Sequence, residues 1–73
     1  MLYTPIYDEF NIIESIRMVS DTGTLSIPLC KDNTDFCRFL VWNKRNEYPI
    51  EISGDITEGV DMDLLERIYG DDV

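Results

Sequence analysis

The groups in this sequence best suited to chemistry are two thiols and a run of carboxylates. Cys30 and Cys37 are the cysteines, Lys31 follows the first, and no histidine occurs anywhere in the 73 residues. A thiol becomes a nucleophile when a base or a cation draws off its proton. Without histidine, no side chain titrates near neutrality to do so. Two cysteines without histidine or a second cysteine pair are also a poor zinc site. Both are expected to be free, buried thiols in a reducing compartment. Asp61, Asp63 and Glu66 look briefly like a calcium cluster, but the central glycine and twelve-residue ligand ladder of an EF-hand loop are missing. They read instead as an acidic helix start. No glycine-rich phosphate loop occurs. The sequence therefore predicts a non-catalytic protein with no cofactor and no catalytic, cofactor-binding or metal residues.

Charge is more informative. The net charge is −9, from 15 acidic and 6 basic residues. Residues 1–46 carry six acids against five bases, whereas residues 47–73 carry nine acids against one base, Arg67. Phosphate backbones demand a basic surface, so the chain is not expected to bind nucleic acid. The acidic half suits a basic partner surface, imitation of nucleic acid, or simple solubility. Its expected role is to set encounter and partner choice rather than the fold of residues 11–46. No apolar run reaches the length of a membrane span, and no basic start followed by an apolar core marks a secretion signal.

The element these groups hang on is a helix. Pro28 ends an apolar extended run, Lys31-Asp32-Asn33 makes a polar corner, and Asn33 is a good N-cap. Asp35 in the first turn and Lys44 and Arg45 in the last have the signs the helix dipole favours. The spacing predicts a helix over 34–45, closed by Asn46 in the left-handed conformation and stopped by Pro49. Upstream, residues 11–19 fit either a helical stripe (Ile12, Ile13, Ile16, Val19) or a strand face (Ile12, Ile16, Met18). The turn signal Ser20-Asp21-Thr22-Gly23 and the alternation of Thr24-Leu25-Ser26-Ile27 make a hairpin the economical reading. Residues 1–10 read as an arm or an edge strand that needs its aromatics docked. Residues 51–56 alternate weakly, and a short helix after Asp61 or Asp63 presents Leu64, Leu65 and Ile68 before Gly70, with Asp71-Asp72-Val73 a free tail. The expected fold is α+β: a small hairpin, one central amphipathic helix, and an acidic irregular segment with a short terminal helix. The divisions are an arm at 1–10, a hairpin–helix core at 11–49 and an acidic segment at 50–73.

The central helix is apolar on more than one side. Phe36, Phe39, Leu40 and Asn43 form one stripe, with Trp42 on one flank and Cys37 and Val41 on the other. Such a helix is covered on more than one side, either by the chain's own ends or by another molecule. On the second alternative, Tyr3, Tyr7, Phe39, Val41, Trp42 and Tyr48 are the residues expected to meet a partner, with Phe39 and Trp42 as its energetic anchors.

From Ser20-Asp21 through Ile27-Pro28, Asn33, Asp35-Phe36, Phe39-Leu40, Trp42 and Pro49, the sequence resembles a segment common in small tailed-bacteriophage proteins, often encoded near tail and tail-fibre genes. It departs from that pattern at Asn46 and Glu47, where glycine and asparagine are usual, and at Cys30-Lys31, where aspartate and proline are. The resemblance covers about residues 20–49. It implies a phage setting: a structural protein of the virion, made in the host cytoplasm and docking in multiple copies on tail, baseplate or fibre-attachment proteins. A small acidic inhibitor of a host protein and a capsid-decorating protein are the alternatives. No membrane partner is expected.

Overall fold

In the computed structural model, residues 2–72 are described. Three strands, β1 (Leu2–Tyr7), β2 (Ile13–Ser20) and β3 (Gly23–Pro28), are followed by helices α1 (Thr34–Arg45) and α2 (Met62–Tyr69) and a 3-10 turn at Gly70–Asp72. The strands form one antiparallel sheet in the order β1-β2-β3. The fold is α+β, and the hairpin is its β2–β3 part.

Of the two readings of residues 1–10, arm or edge strand, residues 2–7 take the second and form an edge strand of the sheet. Pro5 has no amide to donate and is tolerated at an edge. Pairing sets Tyr3 opposite Met18 and Pro5 opposite Ile16, while Ile16 also faces Ile27. Cross-strand partners share a sheet face, so Tyr3, Ile16, Met18 and Ile27 form the side that α1 covers. The register shifts between Ile6 and Tyr7, so Tyr7 meets Ile13. This irregularity brings Ile13, rather than the expected Ile12, against the core, and Ile12 lies exposed outside the strand. At the other turn Ser20 pairs with Gly23, whose φ of +137° is a glycine conformation.

Helix α1 has the predicted bounds. The Phe36 amide donates to Asn33 Oδ1 at 3.0 Å, which is the N-cap bond. Its end differs from expectation. Asn46 has φ −101°, and the left-handed residues are Glu47 and Tyr48, at +65° and +56°. Asn46 serves the helix end through its side chain instead, donating to the Trp42 carbonyl at 2.7 Å. The reversal at Glu47 and Tyr48 lets the Tyr48 amide reach the Asn43 carbonyl at 2.7 Å and carries the chain back under the helix.

The acidic segment lays apolar side chains against the same core. Ile50 is buried, and Ile52, Ile56, Val60, Met62 and Leu65 pack against the core. Buried Asn43 holds Ile50 from both sides: its side-chain amide donates to the Ile50 carbonyl at 2.8 Å, and its oxygen accepts from the Ile50 amide at 3.1 Å. Helix α2 is capped by Asp61, which accepts from the Leu64 amide at 3.2 Å. It lies beside α1 through Lys44–Glu66 (3.6 Å), through Arg38 over the Tyr69 ring, and through Arg45, which donates to the Gly70 carbonyl at 2.7 Å. A Cβ on Gly70 would stand 2.7 Å from the Arg45 guanidinium, so a larger residue there displaces the end of the arginine side chain. The supposed free tail begins as the Gly70–Asp72 turn. Val73 lies outside the described residues.

Candidate docking surface

The six residues expected to meet a partner separate into interior and surface. Tyr3, Phe39 and Val41 are buried, Trp42 is half-buried, and Tyr7 and Tyr48 are exposed. The chain's own two ends cover α1, the N-terminal strand as part of the sheet and the C-terminal segment as a second cover. From the N-terminal side, Tyr3 packs edge-on to Phe39 with ring centroids 5.2 Å apart and tilts against Trp42 at 4.8 Å. On the other flank, Val41 shares a helix face with Arg38, Lys44 and Arg45, the three side chains that reach α2 and Gly70. Phe39, stacked at 5.9 Å on Phe36, is a core residue and no longer a candidate anchor for a partner. The same correction applies to Tyr3 and Val41.

The thiols also differ from expectation. Cys37 is buried and donates to the Lys31 carbonyl at 3.2 Å, but Cys30 is exposed. Both are free. Burial, followed by the charge of Asp32 and the neighbouring Cys30, pushes the Cys37 thiol up, away from the thiolate that a nucleophile needs. Burial and then Asp35 likewise raise the Tyr3 phenol, with Arg38 opposing.

Three of the exposed apolar side chains gather at one end of the sheet. The β1–β2 turn carries Tyr7, Phe10 and Ile12, all exposed, with Phe10 at 74%. The turn is tied by Asp8, whose carboxylate accepts from the Phe10 amide at 2.8 Å and from the Ile12 amide at 3.0 Å. The Asp8 amide donates to the Ile12 carbonyl, and Asn11, at φ +61°, closes the turn with its own amide on the Asp8 carbonyl. Apolar side chains on a fixed turn lose little freedom when they are covered.

Beside this turn runs the segment from Ile50 to Ser53. Burial alternates along it: Ile50 buried, Glu51 exposed, Ile52 half-buried, Ser53 exposed. That is the period of a strand with one face on a core, yet no strand pairs with it among the described residues. The amides and carbonyls of Glu51 and Ile52 make no hydrogen bond there. Two cavities border it. One, of about 550 Å³, is bounded by Leu40, Ile50, Val60 and Met62, with Tyr48 at its rim. The other, of about 670 Å³, lies between Tyr7, Asn11 and Ile13 of the β1–β2 turn and Ile52–Gly54. Glu51 and Ile52 line both, and no lysine or arginine lines either.

Sequence reasoning found Tyr7 and Tyr48 but not Phe10, Ile12 or the Ile50–Ser53 ledge as surface. The available signal was the Asp-Glu-Phe-Asn turn pattern at residues 8–11, where Asp and Asn favour tight backbone. No protein-family model, curated protein or solved structure matches this chain.

Proposed function

We propose that the chain is a non-catalytic structural component of a tailed-phage virion, docking in multiple copies on tail, baseplate or fibre-attachment proteins. The resemblance of residues 20–49 supports the phage setting. Its matching residues have definite physical tasks: Pro28 ends β3, Asn33 caps α1, and Phe36, Phe39 and Leu40 fill the core. They specify a strand–corner–helix unit rather than a contact surface. The docking part of the reading rests on one observation, the tied β1–β2 turn that holds Tyr7, Phe10 and Ile12 in solvent. Mass spectrometry of purified particles tests it. A virion protein is present at a fixed copy number, and Phe10→Ala lowers that number without unfolding the free protein. Absence from particles overturns the reading.

The charge split between the two halves favours a second reading, an acidic inhibitor of a host protein that works through a basic surface. Such a protein is made in infected cells but left out of particles, so the same measurement separates the two.

A further inference from the structure

We propose that Ile50–Ser53 is a docking strand, to which an extended segment of a partner protein adds edge to edge. The segment it fits reads apolar, Lys or Arg, apolar. This deepens the docking reading above and does not depend on the phage setting.

Three observations converge on it. The alternating burial of Ile50, Glu51, Ile52 and Ser53 places one face of the segment on the core. The backbone of Glu51 and Ile52 is unpaired among the described residues, while Asn43 fixes the segment at Ile50. Two cavities of about 550 and 670 Å³ border it. In strand addition, main-chain hydrogen bonds supply affinity, and pockets for alternate side chains supply specificity. Residues i and i+2 of the added segment point inward, towards the cavities. Residue i+1 points outward beside Glu51, where a cross-strand pair of opposite charge is favourable. The lining of both cavities is acidic at Glu51 and free of bases, so an arginine or lysine fits that outward place.

Charge also argues against a second copy of this chain as the occupant. The net charge of −9 brings like charge to like. The chain contains two tripeptides of the required pattern, Ile16-Arg17-Met18 and Cys37-Arg38-Phe39. The first belongs to the central strand, paired on both sides, and the second to α1.

The test is an NMR titration of the full ¹⁵N-labelled chain at low salt. The probe is a capped pentapeptide, threonine–valine–arginine–valine–threonine. The expected result is saturable shifts centred on the Glu51 amide, which faces the edge opposite the one Asn43 holds at Ile50, with slowed hydrogen exchange there. Methylating the arginine backbone nitrogen weakens binding at least about tenfold, because it removes a ladder hydrogen bond. Glu51→Gln, an exposed substitution, weakens it about two- to fivefold, as does glutamate in place of the peptide's arginine, or more. Shifts centred on Asp61–Glu66, equal binding of the methylated peptide, or no saturable binding each overturn the proposal. Concentration-dependent shifts of Glu51 and Ile52 in the free protein also overturn it, giving the ledge to a second copy. Failure of the virion reading shows separately, as absence from particles while the peptide still binds.

Discussion

Helices α1 and α2 begin in the same way and end up in different environments. Each has a side-chain cap three residues before the amide it holds, Asn33 on Phe36 and Asp61 on Leu64. Each has an acid in its first turn and a base in its last. Yet α1 buries Phe36, Cys37, Phe39, Leu40, Val41 and Asn43, whereas no residue of α2 is buried. Caps and charges say where a helix starts and stops. Burial depends on what the rest of the chain lays against it, and α1 has the sheet, which includes the N-terminal strand, on one side and the C-terminal segment beside it as a second cover. Most of a short helix's stability comes from that packing rather than from its own propensity.

The strongest way to break the comparison is to remove one of α1's covers. Truncation after Pro49 deletes Ile50, Ile52, Ile56, Val60, Met62 and Leu65, all packed on the core, and leaves Asn43 without its two partners. The acidic segment, read from sequence as a charged accessory to a hairpin–helix core, is a structural layer. The truncated chain is expected to lose its near-ultraviolet dichroism and cooperative melting at room temperature. A cooperative transition in the truncated chain would restore the accessory view.

A single side chain tests the same layer. Asn43→Ala strands the buried amide and carbonyl of Ile50, at roughly 1–3 kcal/mol for each unsatisfied group. Urea denaturation should show a loss of that order. A change below about 1 kcal/mol would mean that the Ile50 backbone finds other partners.

How legible this was follows from the range over which each signal acts. The bounds of α1 were readable because Asn33, Asp35, Lys44 and Arg45 act within one turn of their own position. Strand β2 was ambiguous because Ile12 and Ile16 fit two periods at once, and the register shift that selects Ile13 depends on pairing with β1. The left-handed backbone fell on Glu47 and Tyr48 rather than Asn46, because the chain must turn back far enough for Ile50 to reach Asn43. No local propensity states that. Tyr3 and Phe39 were legible as important aromatics, but not as partners of each other, since 36 positions separate them. The docking ledge was faint for a related reason. Its alternation spans only Ile50 to Ser53, and its missing ladder is visible only once every other strand has been paired.

The two caps allow a matched pair of smaller perturbations. Asn33→Ala and Asp61→Ala each remove one bond to an orphan amide, at about 0.5–2 kcal/mol. Because α1 carries the core, Asn33→Ala is expected to lower the midpoint of global unfolding. Asp61→Ala should instead accelerate hydrogen exchange locally, in Leu64–Ile68, before global stability falls. Equal global losses from both would show that α2 unfolds only together with α1.

Alkaline pH probes the buried side of α1 from the thiol and the phenol. Burial raises both Cys37 and Tyr3, so the folded chain holds these protons to higher pH than the unfolded chain does. Their contribution is intact below the ordinary values of about 8.5 and 10. It is lost as pH rises through the folded values, because the unfolded chain releases the protons first. Stability to urea should therefore fall with rising pH above the thiol range, and Tyr3→Phe should flatten the upper part of that fall. In the native state Cys30 should be alkylated well before Cys37. Equal rates would contradict the burial of the second thiol.

The smallest effect is expected on the outer face of α2. Leu64 and Ile68 stand one helical turn apart, 45% and 55% exposed, on a stripe directed away from the Glu66 and Tyr69 contacts with α1. Leu65, next in sequence, packs on the core. Replacing both Leu64 and Ile68 with Gln should change unfolding free energy by no more than about 0.5 kcal/mol, the usual range for surface positions. Leu65→Ala should cost about 1 kcal/mol, in keeping with a half-buried leucine. Both variants are measured best at two protein concentrations tenfold apart. A large loss in the double variant that appears only at the higher concentration would mean that a second copy covers Leu64 and Ile68. A large loss independent of concentration would mean that α2 is rotated, with these two side chains against α1. The predicted pattern, a silent outer pair beside a costly Leu65, leaves α2 as a one-sided cover for α1 and keeps its exposed stripe separate from the docking ledge at Glu51 and Ile52.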